Sequence, residues 1–181
     1  FPYTTLFRSY NFKPYCFNEV FLNGHKVVVW ADASFWCVRN PMPLFDYVND
    51  NGLYFFKSGY SLAETATDKL LEYAGVTREQ LVDVSEFATG LIGINIENPK
   101  GKEFFETWHQ YMKDGMFGGN RIHDENDSKH PLFKFSRQDQ SAASMVLYKM
   151  GITTAGEIND FQAYKNTGHN PEKILFFIGG L

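Results

Sequence analysis

The run Lys26-Val27-Val28-Val29-Trp30-Ala31-Asp32-Ala33-Ser34 is apolar from Val27 to Ala31 without alternation and then turns abruptly polar. An amphipathic surface strand alternates, so an unbroken run predicts a central strand covered on both faces, as in an α/β protein. Upstream, Lys13 to Phe21 places apolar residues at helical spacing, and Asn23-Gly24 supplies the stop. A helix therefore feeds a buried strand. Ligand crevices of open α/β sheets lie outside the carboxyl ends of strands, which makes Asp32 the first candidate for chemistry. A carboxylate there can anchor a divalent cation that neutralises a diphosphate, or it can simply cap the following turn.

Downstream, Asn40 to Pro43 forms a turn, 44–48 a short helix, Asn49-Asp50-Asn51-Gly52 a turn, and 53–57 a strand. Ser61 with Glu64 reads as a capping box for a helix to about Tyr73, closed by Gly75, and Thr77 with Gln80 caps a shorter one. A strand over 89–96 contains Gly90 and Gly93, positions where a neighbour or ligand approaches the backbone. Pro99 opens a helix with a Phe104, Phe105, Trp108, Tyr111, Met112 stripe, read as core. A polar, glycine-rich connection over 115–130 precedes a helix beginning near Ser136, with Ala142, Ala143, Val146, Leu147 and Met150 inward and Gly151 as its stop. A last strand covers 174–178.

The 181 residues, 44% hydrophobic and 21% charged, suffice for one core. A net charge of -4 argues against nucleic acid or an anionic membrane as partner, and no apolar run is long enough to span a bilayer. Two cysteines, Cys16 and Cys37, read as free core thiols of a cytoplasmic protein. The aromatic content of 17% suits a heavy core and also suits stacking on sugar rings. The first nine residues, FPYTTLFRS, read as a non-native, adapter-derived segment, the alternative being an edge strand; residues 10–181 are then one partial domain.

At Phe135 to Ser144, FSRQDQSAAS, Ser136 and Asp139 have capping-box spacing, which accounts for Asp139 without function. It leaves Arg137, Gln138, Gln140 and Ser141 unaccounted for. In order and spacing over most of 11–151, these segments resemble the GT-A glycosyltransferases, glycogenin-like and related. Asp32-Ala33-Ser34 looks like their D-x-D metal motif, Pro43-Leu44-Phe45 like the element that follows, 86–95 like their F-N-A-G strand, and Asp139-Gln140-Ser141-Ala142 like D-Q-x-A. The resemblance implies a GT-A-like α/β/α sandwich with a mixed, mostly parallel sheet, incomplete at the N-terminus, and transfer of a sugar from a nucleotide-diphosphate donor to a glycan or other hydroxyl acceptor. It implies Asp32 as anchor of a Mn or Mg ion and of the diphosphate, with Ser34 in place of the second acid. Thr89, Gly90 and Arg137 would line the donor site, and Asp139 and Gln140 would hold the sugar. Ala88-Thr89 departs from the Asn-Ala pair, and the family's base-binding strands would precede Lys13.

Glu86 is either a general base or a surface turn residue. His169 is a candidate late metal ligand or a solvated loop histidine, and His123, Asp124, Glu125, Asp127 and His130 read as a solvated loop. Two other functions fit less of the chain. A non-catalytic carbohydrate-binding or scaffold domain would keep the fold. A haloacid-dehalogenase-type phosphohydrolase also wants an Asp after an apolar strand, but Phe35-Trp36 does not continue its D-x-D-x-T/V motif.

Overall fold

A computed structural model describes residues 10–118, 127–152, 161–164, 172 and 174–179. The first nine residues, His123, Asp124, Glu125 and His169 lie outside the described residues.

The apolar run after Lys26 becomes β1 (Val27–Ala31), preceded by α1 (Phe12–Leu22). β2 (Phe35–Cys37), α2 (Met42–Asn51), β3 (Leu53–Ser61), α3 (Leu62–Thr65) and α4 (Asp68–Ala74) follow, then a 3-10 turn over Glu79–Leu81. β4 (Ser85–Asn95), α5 (Pro99–Lys113), α6 (Asp139–Lys149), β5 (Gln162–Tyr164) and β6 (Phe176–Ile178) complete the order.

The long helix expected over 61–73 is two helices. The Ser61–Glu64 capping box is present, with Ser61 N–H donating to Glu64 Oε2 at 2.8 Å. Thr67 then takes an extended conformation, and its hydroxyl accepts from Leu70 N–H at 3.1 Å. A second N-cap two residues past the end of α3 satisfies a free donor and restarts the helix, so one helix breaks into two. Gly75 ends α4 at φ +66°, where only glycine is free of strain.

β4 is the central strand of the larger sheet, ordered β1-β4-β3, and both of its ladders are antiparallel. The mostly parallel sheet is thus not what the described residues form: β2–β6 is antiparallel as well, and only β5–β6 is parallel. The link over 62–84 explains this. Leu62 N–H donates to Val84 O at 2.7 Å, so the link returns the chain beside the end of β3 that it left, and β4 must run back along β3. A parallel pair would have required a crossover to the far end. β1, read as covered on both faces, is half-buried along Val27–Trp30 and pairs among the described residues with β4 alone. Burial from both faces falls instead to β4, where nearly every residue is inaccessible.

Apolar residues collect on both sides of the larger sheet. One cluster joins Phe17 of α1, Phe104 and Trp108 of α5, and Ala142, Val146 and Leu147 of α6 to Ile92 and Ile94. The other joins Leu44 and Val48 of α2 to Tyr54, Phe56, Leu91 and Phe176. The layers are helices, sheet, then α2 with the small sheet. Gly93 permits this: a Cβ there would stand 2.2 Å from Val48 Cγ2. Cys16 and Cys37 are free thiols but exposed, on the outside of α1 and on a strand of the small sheet, not in the core. No helix among the described residues is long and apolar enough to cross a membrane.

Candidate functional site

The end of β1, the middle of β4 and the start of α6 converge on one cleft of about 220 Å³. Asp32, Ser34, Thr89, Gly90, Arg137, Asp139 and Gln140 all line it. So do residues that the sequence reading did not single out as site residues: Lys13, Tyr10, Ser58 and Gln138, with Phe35, Phe56 and Ile178 as an apolar wall.

Lys13 is the pivot. Its side chain is 2% exposed, and Nζ stands 3.1 Å from Asp32 Oδ1 and 3.2 Å from Asp139 Oδ2. It also donates to the Thr89 carbonyl at 3.1 Å. A lysine this deep is stable as a cation only with such partners. Burial pushes its pKa down, the charges of Asp139 and Asp32 push it up further, and the net direction is up, so Lys13 stays protonated. The sequence signal was present. Lys13, Phe17 and Phe21 recur at four-residue spacing, and the face that Phe17 buries carries Lys13 with it.

Asp32 follows β1 directly. Its N–H donates to Gly90 O at 2.8 Å, and its Oδ1 accepts from Trp30 Nε1 at 2.6 Å. The carboxylate is one-third exposed. Gly90 makes room for the neighbouring Phe35 ring, because a Cβ there would lie 2.8 Å from Phe35 Cε2, whereas Asp32 Oδ2 at 3.4 Å would be in ordinary contact.

Asp139 is not the third residue of a helix capped by Ser136. The helix starts at Asp139 itself, Gln138 precedes it at φ +50°, and Ser136 Oγ accepts from Gln138 N–H at 3.4 Å. The Asp139 carboxylate accepts from Thr89 Oγ1 at 2.7 Å and faces Lys13, while Trp108 Nε1 donates to its carbonyl at 3.1 Å and ties α5 to this corner. Burial raises the Asp139 pKa, and Lys13 offsets part of that.

Glu86 is neither a surface residue nor part of the cleft lining. It is fully buried on β4, behind the wall. Its Oε2 accepts from Ser58 Oγ at 2.7 Å and Gln140 Nε2 at 2.7 Å, and its Oε1 faces Ser141 Oγ at 3.2 Å. Arg137 Nη1 is 3.6 Å away, its guanidinium lying over the Tyr60 ring. Burial holds the Glu86 pKa above the usual carboxylate range despite Arg137. β4 begins at Ser85, four residues before the strand expected from Thr89, and this carries Glu86 into the sheet.

The residues do not fit a divalent cation. Among the described residues, no group of three or more histidine, cysteine or acidic side chains converges as a metal site. Both Asp32 oxygens already face donors, Oδ1 from Trp30 and Lys13 and Oδ2 from Lys13 at 3.4 Å. The Lys13 ammonium, between Asp32 and Asp139, already occupies the charged corner beside Asp32.

No protein-family profile and no curated protein matches the sequence. Among solved structures, the chain is similar to mouse xyloside xylosyltransferase 1 in its apo form, with a TM-score of 0.50 and 12% identity. The similarity covers 93% of this chain and 62% of that one, so the chain spans less than two-thirds of its neighbour's length. The fold is distantly glycosyltransferase-like.

Proposed function

We propose that this chain is part of a GT-A-type glycosyltransferase that moves a sugar from a nucleotide-diphosphate donor to a hydroxyl acceptor. One observation carries the reading: Asp32 and Asp139, the acids of the two motif-like segments, share one cleft, joined through Lys13 at 3.1 and 3.2 Å. A turn cap and a helix cap have no reason to meet. The distant likeness to a xylosyltransferase fold supports the class, not the sugar.

In this reading Asp32 and Ser34 mark the diphosphate end of the cleft. Asp139 and Gln140 orient the sugar through its hydroxyls, with Thr89 and Gly90 beneath it. Rate enhancement comes from holding donor and acceptor in line and from fixed charges facing the departing diphosphate. Glu86, set behind the lining, holds Gln140 and Arg137 in place instead of taking the acceptor's proton.

The test is Asp139→Asn in the full-length protein that contains this chain, assayed with a panel of nucleotide sugars. A charge-assisted hydrogen bond to a sugar hydroxyl is worth about 1.5–3 kcal/mol, so transfer should fall at least about tenfold while free-nucleotide affinity stays near wild type. Unchanged transfer, or no nucleotide sugar hydrolysed or transferred by wild type, refutes the proposal.

A further inference from the structure

The resemblance to metal-dependent transferases and the geometry of the cleft disagree at one point, the source of positive charge. A divalent ion needs a set of oxygen ligands around one point. Here Ser34 stands where a second acid would be, and Asp32 is the cleft-lining carboxylate at that end. The other cleft-lining carboxylate, Asp139, is reached from Asp32 through the Lys13 ammonium. Lys13 is buried to 2% exposure and fixed by three close acceptors, Asp32, Asp139 and the Thr89 carbonyl, with Thr89 Oγ1 farther off at 3.5 Å. A dication held by Asp32 would sit within a few ångströms of that ammonium, in a poorly solvated corner where like charges repel strongly.

We propose that Lys13, in place of a divalent cation, supplies the positive charge that receives the donor's diphosphate. This inference rests on the glycosyltransferase reading. The three acceptors of Lys13 are not equal. Asp139 and the Thr89 carbonyl are buried, whereas the Asp32 carboxylate is one-third exposed and keeps Trp30 Nε1 as a second donor. An arriving phosphate oxygen therefore takes a Lys13 N–H from Asp32, which yields it to water at low cost. Arg137 is the second cation lining the cleft among the described residues. Its long 3.6 Å pairing to Glu86, already bonded to Ser58 and Gln140, leaves guanidinium donors for the substrate. One fixed cation thus stands between the two cleft carboxylates and a second joins the lining, without any ion from solution.

The experiment has two arms on the intact protein. Mn²⁺ is titrated alone and followed by the electron paramagnetic resonance of the free ion, and UDP is titrated calorimetrically in EDTA and in Mn²⁺. Wild type should take up no stoichiometric Mn²⁺, and UDP affinity should agree within about twofold in the two buffers. In Lys13→Ala, Asp32 and Asp139 face each other with no cation between them. There UDP affinity in EDTA should fall by about tenfold or more, and Mn²⁺ uptake should appear and restore it. Stoichiometric Mn²⁺ uptake by wild type, or UDP binding strengthened about tenfold by Mn²⁺, overturns the proposal. If Lys13→Ala does not fold, the wild-type arms decide alone. Binding of neither UDP nor GDP in either buffer refutes the transferase reading, and the Mn²⁺ titration still decides whether the cleft is a cation site.

Discussion

Lys13→Met is the most informative single change for stability, because it removes the charge and keeps much of the stem's volume. Two carboxylates lose a partner, and they lose unequally. Asp32 is one-third exposed and retains Trp30 Nε1 at 2.6 Å, so water and the indole take over. Asp139 is 4% exposed and retains, among the described residues, only the Thr89 hydroxyl at 2.7 Å and its helix N-terminus. Stranding one partner of a buried pair costs about 3–5 kcal/mol. The thioether's packing and proton uptake by Asp139 offset part of this, so we expect about 3 kcal/mol at pH 7. The sign with pH follows from Asp139. Its folded pKa is raised, chiefly by burial, and loss of Lys13 raises it further. A carboxyl whose folded pKa lies above its unfolded value stabilises the fold at low pH and loses that contribution as pH rises through the folded value. The cost of Lys13→Met should therefore be smaller at pH 5 than at pH 8 in urea denaturation. Adding Asp139→Asn removes the stranded charge, and the double variant should recover to within about 1 kcal/mol of wild type. A Lys13→Met cost below about 1 kcal/mol, with no recovery in the double variant, would show that Lys13 does not pair with Asp139.

Two further substitutions probe the wall behind and beneath the cleft. Glu86 binds its proton more tightly in the folded chain than unfolded, because burial outweighs Arg137, so its contribution to stability declines as pH rises from about 4.3 through its raised folded value. Glu86→Gln can donate to Ser141 Oγ, which itself donates to Thr65 O at 3.0 Å. Thermal melts should show a flatter pH dependence and no loss of Tm at pH 7.5; a variant clearly less stable than wild type there would mean that Glu86 is ionised and held by Arg137. Gly90→Ala would press a methyl on Phe35, 2.8 Å from Cε2. Overpacking of this kind costs about 1–3 kcal/mol, and since the displaced ring lines the cleft, UDP-sugar affinity measured by calorimetry should fall with it. Unchanged affinity would place the ligand elsewhere.

Legibility in the sequence followed the range of the forces involved. α5 declared itself through Pro99 and a five-residue apolar stripe, and the structure buries Phe104, Phe105 and Trp108 as that stripe requires. β1 was legible as a strand but not as an edge, because apolar content reports burial and says nothing of hydrogen-bond neighbours. Strand direction depended on where the 62–84 link ends, and a single contact, Leu62 to Val84, sets that. β2 and β5, three residues each, are too short for any period to show and exist through their pairing with β6.

The candidate site divides in the same way. Asp32 was visible from its place at a strand end, whereas Lys13 was read as the first residue of a helix, although its spacing from Phe17 puts it on the buried face. Asp139 is the instructive case, since local chemistry offered a complete explanation that the structure does not use. A capping box would have satisfied helix donors with Ser136 and left Asp139 half in water. Instead the chain takes Gln138 at φ +50°, a conformation that costs a non-glycine residue on the order of 1–3 kcal/mol. It also buries the Asp139 carboxylate against a hydroxyl and an ammonium. Neither departure benefits the helix, which starts at Asp139 without a side-chain cap. What they share is direction: both turn Asp139 toward Thr89 and Lys13, and hence toward Asp32. A local rule set aside at a cost, at the residue where a distant acid converges, is the pattern expected when the position serves the cleft and not the helix.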